Sequence, residues 1–182
     1  MFVFYWLQVV KARQENYAAA KEYARQRFEI MGKLVSANNL DYLVVKSDWA
    51  RYRALAGETD QAAVQIGELM PLIHKSFPSP SFSAWTTYRN SSNVMNLAGR
   101  FPEAESFARE ALAAVDAAHL GEIDARRAES LFALGTALRK EKKFQDARLN
   151  LEHAVNIYSQ CGPTFAKTLA RARKLLSETP SR

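Results

Sequence analysis

The stretch Leu131-Phe132-Ala133-Leu134-Gly135-Thr136-Ala137-Leu138, followed shortly by Lys142-Lys143-Phe144-Gln145-Asp146-Ala147, decides the fold. Leu131, Leu134 and Leu138 stand at i, i+3 and i+7, the offsets of one helical face. Gly135 lies inside that helix at a cost of about 1 kcal/mol relative to alanine, which predicts that a neighbouring helix comes close there. After the lysine turn, Phe144, Ala147, Leu151 and Ala154 mark the face of a second helix. The stretch therefore reads as a helix, a tight turn and a helix folded back on it.

Three further segments align with that turn: Glu15-Asn16-Tyr17-Ala18-Ala19-Ala20, Gly57-Glu58-Thr59-Asp60-Gln61-Ala62 and Gly99-Arg100-Phe101-Pro102-Glu103-Ala104. The anchoring alanines 20, 62, 104 and 147 are spaced by 42, 42 and 43 residues, so the chain is an internal repeat. Upstream of each turn lies an amphipathic stretch, marked by Phe4 and Leu7, by Val45, Trp49, Tyr52 and Ala56, by Tyr88 and Met95, and by Leu131, Leu134 and Leu138. Breakers separate the units: Ser36 to Asn39, Phe77-Pro78-Ser79-Pro80, His119 to Gly121 and Cys161-Gly162-Pro163. The expected units are 1–37, 40–77, 80–119 and 122–160, with a capping helix at 163–178, all in one repeat domain over 1–182. Pro71 is expected to kink or end the second helix of its unit, because proline lacks the donor and its ring meets the preceding turn.

A small residue, a turn, an aromatic and an alanine at these offsets resemble the tetratricopeptide repeat (TPR) family. Leu131, Leu134-Gly135 and Leu138 match the family's first helix, and Phe144, Ala147, Leu151 and Ala154 its second. In the third unit Tyr88, Met95, Gly99, Phe101, Ala104 and Ala111 match, but Ser91-Ser92 replace the Leu-Gly pair. In the second unit Arg53 stands where the family carries a large apolar residue, with Tyr52 one place earlier. A period near 42 resembles longer-helix members such as those of kinesin light chains and bacterial regulators. The resemblance implies an all-α fold, a right-handed α-α superhelix of about nine helices.

Composition agrees with a helical domain and excludes several classes. The chain has 182 residues, 25 Lys and Arg against 19 Asp and Glu, a net charge of +6, seven glycines, six prolines and one cysteine. A domain of this size buries roughly 70% of the surface its unfolded chain exposes, enough to need no disulfide or metal. Cys161 has no internal partner and reads as a small packed thiol. The apolar opening over residues 1–10 is about half a bilayer span and is followed at once by Lys11 and Arg13, so neither a membrane segment nor a secretory signal is expected. The expected location is the cytoplasm. Phe2, Phe4, Tyr5 and Trp6 crowd that opening and are expected to pack inward on the first unit; the other reading has them cover a surface met by a second copy or by upstream repeats.

No converging catalytic set is legible. His74, His119 and His153 are widely separated and have no Cys or carboxylate at metal-ligand spacing. The glycines form no phosphate-binding loop. Glu103, Glu105 and Glu110 follow a helix start, where they favour its dipole and face solvent. No enzyme activity, metal or cofactor is expected.

The function implied by the resemblance is display of a groove to a protein or peptide. In the family the first helix of each unit lines that groove, which here places Arg89, Asn90, Asn93 and Asn96 in a polar stripe. Asparagine offers donors and an acceptor, so such a stripe suits the backbone of an extended peptide. Arg51, Arg139 and Lys140 would add positive charge and favour an acidic peptide or a carboxylate terminus. Arg89, Asn90 and Asn93 resemble part of the family's carboxylate clamp, from which Ser47, Glu129 and Ala133 depart. Trp85 and Tyr88 read as core between helices. A second reading is a regulatory or sensor segment of a larger bacterial protein. RNA binding is the third, and the residues equivalent to Asn90 and Asn93, which are Asp48 and Arg51, then Ala133 and Thr136, show no repeated code.

Overall fold

The computed structural model describes residues 2–77 and 82–181. Among them are nine α-helices and no strand: α1 (Phe2–Arg13), α2 (Tyr17–Leu34), α3 (Leu40–Leu55), α4 (Thr59–Ser76), α5 (Trp85–Leu97), α6 (Phe101–Ala117), α7 (Ala125–Lys140), α8 (Phe144–Gln160) and α9 (Ala166–Ser177). Short 3-10 turns, Phe82–Ala84 and Pro163–Phe165, precede α5 and α9. The expected break at Pro78-Ser79-Pro80 lies outside the described residues.

Each hairpin turn is built alike. Glu15, Gly57, Gly99 and Lys142 have φ of 59°, 96°, 75° and 65°, the left-handed region, and stand at the same place in the four aligned segments. The next residue in each turn donates its N–H five residues back, Asn16 to Lys11 O, Glu58 to Arg53 O, Arg100 to Met95 O and Lys143 to Leu138 O, at 2.9–3.0 Å. This closes the carbonyls at the end of the first helix and aims the second one back along it. Between hairpins the helix starts are held by side chains: Asn39 Oδ1 accepts from Asp41 N at 2.9 Å, and Asp124 Oδ1 from Arg126 N at 2.8 Å.

The chain forms two compact units, one holding α1 to α4 and the other α5 to α9. In the first, neighbouring helices pack in chain order, and Ala20 and Ala24 of α2 meet Tyr52 of α3 with Trp49 and Leu55 around them. In the second, Ala108 of α6, Ala133, Leu134 and Leu138 of α7 and Ala147 of α8 make one cluster. Ala128 and Leu131 of α7, Ala154, Ile157 and Tyr158 of α8 and Ala172 of α9 make another. Alanines at the anchoring positions let the backbones approach, and larger side chains fill the space beside them.

Two expectations are corrected. Of the kink or stop expected at Pro71, the stop is overturned: helix α4 runs through to Ser76, because Leu69, Met70 and Ile73 on either side are buried and hold the turn while Pro71 is exposed. The opening aromatics do not all pack inward: Phe2 and Trp6 are exposed, whereas Phe4 turns toward α2, its ring 6.3 Å from that of Tyr23, and the partly exposed Tyr5 ring lies 5.1 Å from the guanidinium of Arg27 on α2. Gln8 is buried and Phe4 and Leu7 are half-buried, so these residues form the covered side of α1.

Candidate partner-binding face

In the second unit α5 and α7 are neighbours, and the row of each helix that stays accessible is fixed by what its other faces bury. On α5, Trp85, Tyr88, Ser91, Ser92, Val94 and Met95 are buried. The accessible row is Thr86, Arg89, Asn93 and Leu97, spaced by three, four and four residues. On α7 the row at the same register is Glu129, Phe132, Thr136 and Lys140. Together they make a mixed surface, with one ion pair, three small polar side chains, two apolar side chains and an exposed lysine.

Arg89 anchors one end. Its guanidinium lies 5.1 Å from the centre of the Trp85 ring, and its Nε is 3.6 Å from Glu129 Oε2. Trp85 is in turn fixed by donating from Nε1 to Ser130 Oγ at 3.1 Å, so Trp85 and Tyr88 are core between helices, as their spacing predicts. Thr136 donates to Phe132 O at 2.7 Å.

The expected stripe is placed differently residue by residue. Asn90 is fully buried, so it offers nothing to a partner. Its register equivalents Asp48 and Ala133 are buried too, which marks this row as a packing row; the alanine in the clearest repeat is the sequence signal for it. Asn96 donates from Nδ2 to Ala133 O at 3.3 Å and ties α5 to α7. Arg139, at the same register one repeat on, donates to Glu178 O at 3.3 Å and ties α7 to the end of α9. Arg51 belongs to the first unit, with its guanidinium 4.8 Å from the centre of the Tyr52 ring. Of the seven expected residues, Arg89, Asn93 and Lys140 share one accessible face. Thr86, Leu97, Phe132 and Thr136 complete it and were not singled out from sequence.

The charge on this face is smaller than expected, because Glu129 faces Arg89 and Glu178 faces Arg139. Glu105, expected in solvent, is largely covered: Lys143 Nζ stands 2.7 Å from its Oε2 and Arg109 Nη2 2.6 Å from its Oε1. These cations, Lys143 first, hold its carboxyl down at about 2. Burial pushes the Tyr158 hydroxyl and the Cys161 thiol up, so neither is poised to react near neutral pH.

In the first unit a shallow cleft of about 530 Å3 lies between α3 and α4, lined by Lys46, Trp49, Arg53, Asp60, Val64 and Glu68 among others. Arg53 closes it by donating to Glu58 Oε2 and Gln65 Oε1 at 3.0 and 3.1 Å, while Tyr52 takes the buried place beside it. That exchange accounts for the arginine at an apolar repeat position. Among the described residues no group of His, Cys, Asp and Glu is arranged to hold a metal ion, and no helix is long and apolar enough to cross a membrane.

The tetratricopeptide repeat family matches residues 83–160. Solved structures share the fold over nearly the whole chain. The nearly identical TPR-like repeats of a Podosopora anserina protein described as a kinesin light chain are 18% identical, with a TM-score of 0.71 over 96% of this chain and 82% of that one. A point variant of those repeats aligns with a TM-score of 0.72 over the same shares at 18% identity. BtubC (BKLC) from P. vanneervenii is 18% identical, with a TM-score of 0.70 over 95% of this chain and 68% of that one. The comparison with curated proteins found no match. The third and fourth hairpins are therefore tetratricopeptide-repeat sequence, and the chain has an all-α TPR-like fold.

Proposed function

We propose that this chain is a non-catalytic cytoplasmic scaffold, one repeat domain over 1–182, that binds a protein or peptide along the accessible rows of α5 and α7. The observation that carries the reading is the accessible row at one repeat register on two neighbouring helices, with Arg89 held against Trp85 and Glu129, Asn93 and Leu97 further along α5, and Thr136 and Lys140 further along α7. Such a face suits an extended segment whose backbone meets Asn93 and whose apolar side chains meet Leu97 and Phe132. With Arg89 balanced by Glu129, any preference for acidic residues rests on Lys140. Each hydrogen bond contributes only about 1 kcal/mol net, so affinity is moderate and several contacts act together.

The test replaces accessible residues only. Asn93→Ala with Lys140→Glu is compared with wild type and with Leu149→Ala, which changes an exposed residue of α8. Helicity is checked first by circular dichroism. Loss of co-purifying partners in the first variant and their retention in the second is the expected result; an unchanged set in both would rule out this face.

A further inference from the structure

The repeat register exposes a packing row on α1 that is covered in the equivalent helices. Val3, Trp6 and Val10 correspond to Val45, Asp48 and Tyr52 in α3 and to Ser130, Ala133 and Ala137 in α7, all six of which are buried. The preceding helix supplies the cover. Arg27 of α2 stands 3.0 Å from Asp48, Ala20 and Ala24 of α2 cluster with Tyr52, and Ala108 of α6 clusters with Ala133. On α1 the row is open: Val3, Trp6 and Val10 are 67%, 51% and 45% exposed, with Phe2 beside them at 75%. The face is thus shaped to meet a helix.

We propose that its occupant is the same face of a second copy of this chain, with the two α1 helices antiparallel. The charge pattern selects this arrangement. Helix α1 has no acidic residue; its cations, Lys11 and Arg13, sit in its last turn and its exposed rings in its first half. Antiparallel pairing sets the cations of each copy against the rings of the other, where Trp6 is already held edge-on to Phe2 and Tyr5 at 6.3 and 5.4 Å. It also opposes the helix dipoles. The two Arg13 groups then lie at opposite ends of a helix pair about 18 Å long, beyond the screening length of about 8 Å. Parallel pairing would bring them together. An end-to-end arrangement would set α1 against the exposed face of α9, which carries Lys167, Arg171 and Lys174, and so would place cations on an apolar surface already bordered by cations. Phe2, Val3, Trp6 and Val10 together expose roughly 450 Å2. Two copies would bury up to about 900 Å2, below the standard size of specific interfaces, so the dimer is weak and reversible.

Sedimentation equilibrium on the 182-residue chain over about a hundredfold range of micromolar concentration tests this. Wild type is expected to pass from monomer to dimer. Trp6→Glu should stay monomeric with unchanged helicity, and Val64→Glu, on the exposed side of α4, should dimerise as wild type does. Should Trp6→Glu lose helicity, Val10→Lys serves in its place with the same expectation. For orientation, in a Cys161→Ser background, Val3→Cys mixed with Val10→Cys should form a mixed disulfide, whereas Val3→Cys alone should stay reduced. A monomeric wild type, as a face reserved for a preceding helix of a longer chain would give, overturns the proposal. So does a dimer indifferent to Trp6→Glu and Val10→Lys, or self-linking of Val3→Cys.

Discussion

A Cβ on Gly135 would come within 2.7 Å of Leu151 Cγ and 3.2 Å of Ala147 O, so α7 and α8 cross where α7 has no side chain. One repeat earlier the same two places hold Ser92 and Ala108, and Ser92 donates its hydroxyl to Ala104 O at 2.9 Å, the carbonyl at the register of Ala147 O. In the second repeat the places hold Ala50 and Ile66. The crossing is kept close in each case by matching a smaller residue on the first helix to a larger one on the second, or the reverse.

Gly135→Ala is expected to destabilise the chain. Overpacking costs about 1–3 kcal/mol, and the better helix propensity of alanine returns up to about 1, leaving a net loss of about 1–2 kcal/mol in urea unfolding. Gly135→Ser should cost less in a Leu151→Ala background than in wild type, since the pair then copies Ser92 and Ala108. Equal costs in the two backgrounds would show that Leu151 is not the obstacle.

Lys142 holds a left-handed φ of 65° where two of the other turns use glycine. Lys142→Gly should stabilise by about 0.5–1 kcal/mol, and Gly99→Ala at the matching place should destabilise by a similar amount. Thermal melts of both variants check the pair of signs. The lysine side chain is exposed, so its removal disturbs no packing.

Glu105 joins the α6 surface to the turn before α8 through Lys143, and its carboxyl is held at about 2, below the ordinary value near 4.3. A depressed folded pKa contributes stability that is complete above the unfolded value and fades as pH falls through the folded one. The stability gap between wild type and Glu105→Gln should be constant from neutral pH down to about 5, then narrow toward pH 2. Urea titrations at a series of acid pH values would show a gap that never narrows if Glu105 titrates in the ordinary way.

Tyr158 is buried against Phe165, Ala128, Leu131 and Ala172, with its ring 5.8 Å from that of Phe165 and its hydroxyl lacking a hydrogen bond among the described residues. Removing the hydroxyl relieves an uncompensated burial. Tyr158→Phe should therefore raise stability by about 1 kcal/mol in chemical denaturation. A loss instead would mean that the hydroxyl is satisfied in solution.

The hairpins, their register and the close crossing at Gly135 were legible in the sequence because they rest on local rules. Apolar spacing sets the helical faces, a left-handed residue sets each turn, and a glycine kept inside a helix signals a neighbour. The binding face was legible only in part. Successive helix residues point about 100° apart, so whether Asn90 or Asn93 faces a partner depends on where the neighbouring helices lie, and spacing within α5 does not state that. Tertiary packing turned Asn90 inward, spent Asn96 and Arg139 on ties between helices, and set Glu129 against Arg89. It also left Trp6 and Val10 in the open, since a row that α3 and α7 bury is buried only when another helix comes to cover it.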